Sequence, residues 1–84
     1  MELYKEIAKV HSKEDFIKFI NHLIKDFKEN QSEWENKTVE SYLEGISSWI
    51  EDMEGYYENN KIEKPKDINW NFFANVLYAA KIYE

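Results

Sequence analysis

From Thr38 to Asn60 the apolar residues fall at Val39, Tyr42, Leu43, Ile46, Trp49, Ile50, Met53, Tyr56 and Tyr57. Gaps of three and four keep one stripe on one side of a helix. At 1.5 Å per residue such a helix spans roughly 30 Å, about the diameter of a small domain. The stretch therefore predicts a central helix against which the rest of the chain packs. Its first half, Val39 to Ile50, reads as core. Its last turns, Glu51 to Tyr57, collect acids, a glycine and paired tyrosines.

The rest of the chain must supply the other walls of that core. With 84 residues it is long enough for one domain, and a single helical domain over 1–84 is expected. Apolar residues make up 43%, including five Phe, six Tyr and three Trp, which argues against disorder despite a mean hydropathy of −0.77. Cysteine is absent, so stability must come from packing rather than disulfides or thiolate metal sites.

Three further helices are expected. Leu3, Ile7 and Val10 suggest a short one over Glu2 to Val10, too short to stand alone. Ser12 can cap a second over 13–30, with Glu14 and Asp15 in its first turn, where the macrodipole favours negative charge. Its central line is Phe16, Ile20, Leu23 and Phe27, flanked by Ile17 and Ile24. The link from Asn30 to Lys37 is polar except for Trp34. Ser32 and Glu35 fit a capping box around a single turn, and Thr38 caps the central helix, 38–59. So short a link predicts that the two long helices are antiparallel neighbours. Gly45, beside the stripe, predicts close approach of another backbone or a large aromatic, whereas Gly55 marks a weak point. Pro65 breaks helix in the segment Lys61 to Asp67, with Ile62 and Ile68 expected to tuck inward. The last helix, 69–83, is apolar nearly all round, which marks the most buried helix or one that also meets a partner. The fold class is all-α, a small helical bundle.

Little in the sequence suggests covalent or acid–base chemistry. His22 and Asp26, one turn apart, are too few ligands for a metal and read as a solvated pair. Glu40, Glu44 and Glu51 read as a charged outer face. Asp52 borders the stripe and could accept a hydrogen bond from a Tyr hydroxyl or Trp N–H. Gly-rich phosphate loops and nucleophile elbows are missing. No catalytic residue, cofactor or metal is expected, and the chain is read as not an enzyme.

Charge and aromatic excess point elsewhere. The net charge of −6, with every base a lysine, repels nucleic-acid backbones and suits a basic protein partner. No apolar run approaches the ~20 residues of a membrane span, and MELYKEIAKVHSKED lacks a secretory h-region, so the cytoplasm is expected. Tyr and Trp tolerate one wet edge and are enriched where proteins bind each other. Glu51, Asp52, Tyr56, Tyr57 and Trp70 are the candidate partner-binding residues, Trp70 being brought near by the loop. The plainer reading is that the tyrosines pack down on that loop and on Trp70.

The segments Trp34-Glu35-Asn36-Lys37-Thr38 (W-x-N-K-T) and Ala79-Ala80-Lys81-Ile82-Tyr83-Glu84 (A-A-K-I-Y-E), with Trp49-Ile50-Glu51-Asp52-Met53 and Gly55-Tyr56-Tyr57 between them, carry a resemblance. They resemble a family of short bacterial proteins catalogued as a domain of unknown function. The resemblance implies a compact helical domain without an assigned activity; some small acidic bacterial proteins of this type resemble immunity partners of toxins. The expected function is a cytosolic protein-interaction module, with an immunity-type inhibitor as its more specific form. The alternatives are a homodimer formed through the last helix, or a small-ligand pocket lined by Trp49, Asp52, Tyr56 and Trp70.

Overall fold

The computed structural model describes residues 3–64 and 67–83. Its helices are α1, Leu3–Ile7; α2, Lys13–Glu29; α3, Val39–Asn59; and α4, Trp70–Ala80, with one 3-10 turn at Gln31–Glu33. No strand occurs among the described residues. The fold is a small all-α bundle, as the periodicity predicts, and no described helix is long and apolar enough to cross a membrane. The expected helix start at Glu2 and the break at Pro65 lie outside the described residues.

Helix starts follow the sequence closely, because each cap is a local bond between residues three apart. Ser12 Oγ accepts from the Asp15 N–H at 3.1 Å, and Asn69 Oδ1 accepts from the Phe72 N–H at 2.7 Å. Thr38 and Ser41 exchange a reciprocal capping box at 3.0 and 3.2 Å. The predicted Ser32–Glu35 box is absent. The 3-10 turn has Asn30 at its N-cap, and the N–H groups of Glu35 and Asn36 both donate to Lys81 O at 3.0 Å instead. A long-range partner has outbid a local one.

The arrangement of helices differs from the expectation in two respects. First, α2 and α3 nowhere approach within 8 Å, Cα to Cα; α4 lies against α1, α2 and α3 and is the true central helix. Its composition explains this, since a helix apolar on nearly every side has core to offer in several directions. Ala74, Leu77 and Tyr78 face a cluster with Leu3, Ile7, Val10, Phe19, Leu23 and Trp34. Phe72, Val76 and Ala79 face a second cluster with Trp49, Tyr57, Ile46 and Met53.

Second, the stripes are narrower than their apolar residues suggest. In α3 Val39, Leu43 and Ile50 are exposed, the buried residues are Gly45, Trp49 and Tyr57, and Tyr42, Ile46 and Met53 beside them are half-buried. In α2 the most buried residues are Phe19 and Leu23, while Ile17 and Ile24 stand half exposed. Ile62 and Ile68, expected to tuck in, are 50% and 72% exposed. The long helix α3 has α4 as its one helical neighbour among the described residues, and α2 is covered only by α1, α4 and the 3-10 turn, so the flanks of both stripes stay uncovered.

Gly45 is where α3 meets the end of α4. A Cβ there would lie 2.7 Å from Ala80 O, 2.8 Å from Asn36 Nδ2 and 3.0 Å from Tyr83 O. Both carbonyls are backbone and cannot yield cheaply. Gly55, in contrast, has nothing within 4 Å of that position. Alanine should therefore act in opposite directions at the two glycines. Gly55→Ala is expected to stabilise by up to about 1 kcal/mol through helix propensity. Gly45→Ala is expected to destabilise by about 1–3 kcal/mol through overpacking. Paired urea melts check both signs.

Candidate functional site

The C-terminal end of α3 begins the site. Asn60 closes the helix with its N–H on Tyr56 O at 3.1 Å, and Lys61 adopts a left-handed conformation, φ 55°. The Ile62 N–H then returns to Tyr57 O at 2.9 Å. This turn raises Ile62 and Glu63 beside the paired tyrosines, where they form one rim of a groove of about 490 Å³.

Three helices build the remaining walls. Tyr4, Ile7 and Ala8 come from α1 and the turn after it, and Trp49, Tyr56 and Tyr57 from α3. Asn71, Asn75, Tyr78 and Ala79 come from α4, with Ile82 and Tyr83 just beyond it. Five of the chain's six tyrosines thus converge on one concave surface. Trp49, Tyr56 and Tyr57 pack on one another at ring-centroid distances of 5.1–6.4 Å, with tilted or edge-to-face planes, the favourable arrangement for aromatic quadrupoles.

Polar groups within the groove are few. Asn71 Nδ2 donates to Ile7 O at 2.6 Å and holds α1 against α4, and Asn75 Nδ2 donates to Asn71 O at 3.1 Å. The Tyr57 hydroxyl is buried and has no hydrogen-bond partner among the described residues. Burial, then the neighbouring Tyr56, pushes its phenol above the ordinary tyrosine value. Glu63 carries the one carboxylate of the lining, and no lysine or histidine lines it among the described residues.

The sequence-predicted residues divide across this geometry. Tyr56, 36% exposed, lines the groove; Tyr57, 5% exposed, is core with its ring at the groove wall. Asp52 accepts a hydrogen bond from the Tyr83 hydroxyl, the kind of partner the sequence suggests, although the tyrosine comes from the far end of the chain. Glu51 is exposed on α3. Trp70 is not with the tyrosines: its ring packs on Phe16 at 5.4 Å and Phe73 at 6.3 Å. Of the pocket expected from Trp49, Asp52, Tyr56 and Trp70, only Trp49 and Tyr56 line the groove. Tyr4, Tyr78 and Tyr83 were missed because their elements meet α3 only in three dimensions.

His22 and Asp26 are not the solvated pair that their spacing suggests. His22 Nδ1 lies 2.6 Å from Glu6 Oε1, joining α2 to α1. Asp26 accepts from Trp34 Nε1 at 2.8 Å, Lys81 Nζ at 2.8 Å and Asn30 Nδ2 at 3.1 Å. Burial is the largest single influence on its carboxyl and opposes ionisation. The hydrogen bonds from Lys81, Trp34 and Asn30, with the charge of Lys81, together outweigh it and hold the group below its ordinary value. No cluster of three or more metal-ligating side chains occurs among the described residues. With every partner internal, Asp26 is a structural hub rather than a site.

Removing one member of that hub leaves the other charge poorly solvated. Asp26→Asn and Lys81→Met are each expected to cost about 3 kcal/mol near neutral pH, and Asp26→Asn/Lys81→Met less than their sum. Because the folded carboxyl lies below its unfolded value of about 3.9, its contribution is complete above that pH and fades as pH falls through the folded value. The stability gap between wild type and Asp26→Asn should accordingly shrink on acidification below about pH 4. Urea melts across that range test both statements.

The model of a family of unknown function, DUF7660, matches residues 12–84. Neither a curated protein nor a solved structure matches the chain.

Proposed function

The chain belongs to this family of unknown function, and from its own geometry we propose that it is a non-enzymatic protein-interaction module whose tyrosine-lined groove docks a segment of a basic partner. The observation that carries this reading is the convergence of five tyrosines and Trp49 on one open, largely apolar surface. Tyrosine and tryptophan give large contact area at low entropic cost, and they dominate binding energy at protein interfaces. The groove's lining holds a single carboxylate and no histidine among the described residues, which supports binding over acid–base catalysis. The net charge of −6 would steer a basic partner toward it and repel nucleic acid, as a small inhibitor of a basic protein requires.

The rim is the place to test this without touching the core. Ile82 lines the groove and is 51% exposed, whereas Ile24 is 49% exposed on α2, away from it. Against the partner that co-purifies from the native host, Ile82→Lys is expected to weaken binding at least about tenfold in calorimetry, since a buried unpaired charge at an interface costs several kcal/mol. Ile24→Lys should bind as wild type does. Equal affinity for all three proteins, or a loss confined to Ile24→Lys, overturns the groove as the docking surface.

A further inference from the structure

The chain contains its own example of how this fold holds a cation. Lys81 is buried, its ammonium 5.3 Å from the Trp34 ring centroid, 5.4 Å from that of Tyr78 and 2.8 Å from Asp26 Oδ2. A carboxylate supplies the charge, aromatic rings supply their negative faces, and the aliphatic stem packs in the core. The groove presents the same chemistry outward. Tyr78 lines it as well, beside Trp49, Tyr56 and Tyr83, with Glu63 at the rim and no basic side chain among its described lining residues. Asp52, hydrogen-bonded to Tyr83, brings a second carboxylate close to that wall.

Resting on the docking reading above, we infer that the partner is anchored by a lysine side chain whose aliphatic stem lies along the apolar wall and whose ammonium meets the groove's aromatic and carboxylate groups. Charge complementarity selects this occupant over a purely apolar one: an acidic chain, several aromatic faces and a lining that holds no base among the described residues all favour a cation. A primary ammonium can donate hydrogen bonds to a carboxylate as well as meet an aromatic face, whereas a quaternary ammonium has no N–H to donate.

The anchor is tested with the wild-type chain, using n-butylammonium as the lysine side-chain probe and n-butanol as its neutral isostere. Both are titrated at 0.15 M salt, which screens general attraction to the acidic surface. The readouts are the Trp49 indole N–H and the Asn71 and Asn75 side-chain amides in NMR spectra. The ammonium is expected to shift these resonances with an affinity about twofold to fivefold higher than the alcohol's, the range for an exposed cation–π contact. Tetramethylammonium should bind more weakly than n-butylammonium, and Tyr56→Leu should abolish the preference for charge. If n-butanol shifts the same resonances equally well, the groove docks an apolar group and the lysine anchor is wrong while the docking reading stands. If neither probe moves them, both readings fail. A charge preference that survives Tyr56→Leu, or shifts confined to surface acids, also overturns the aromatic anchor.

Discussion

The C-terminal end of α4 is the point on which the structure depends. A helix ends with carbonyls that have no partner of their own, and burying them unpaired costs on the order of 1–3 kcal/mol each. Here the segment before α3 supplies the donors. Asn36, 8% exposed, gives its two amide hydrogens to Ala80 O at 2.7 Å and Tyr83 O at 2.6 Å. The backbone N–H groups of Glu35 and Asn36 cover Lys81 O. Gly45 lets α3 approach this junction, and Asp26 of α2 holds the Lys81 ammonium there. Three elements far apart in the chain are thereby fixed to one helix end.

That junction accounts for the layout of the core. Trp34 sits between Phe27 at 5.0 Å and Tyr42 at 5.8 Å, filling the space between α2 and α3 that the helices themselves do not close. With α4 placed against both, the apolar interior divides into two clusters rather than one. The groove opens where α1, α3 from Trp49 onward and one face of α4 converge without fully covering one another. Its walls are therefore set by the same anchoring that stabilises the fold. Substitutions at Asn36 or Gly45 would disturb its shape from a distance.

The strings W-x-N-K-T and A-A-K-I-Y-E, far apart in the chain, meet in the structure. Trp34 and Lys81 share the Asp26 carboxylate, and Asn36 binds the carbonyls of Ala80 and Tyr83. Thr38 caps α3. These residues contact one another and tie the two strings into one junction. The groove shares residues with this framework: Tyr78 and Tyr57 pack in the two core clusters, and Tyr83 donates to Asp52.

The sequence alone determined what depends on near neighbours: the Ser12 and Thr38 helix caps, the all-α class, the approximate helix limits and the close approach at Gly45. These follow from bonds three or four residues apart or from a missing side chain. It also marked Tyr56, Tyr57 and Asp52 as worth watching. Only the tertiary structure decided which helix is central, since apolar periodicity tells which face is buried and not against what. It moved Trp70 to Phe16 and Phe73, turned Asp26 from a surface acid into a half-buried hub and brought Tyr4, Tyr78 and Tyr83 to the groove. Each of those outcomes depends on contacts between residues from different helices, which local pattern and spacing do not encode.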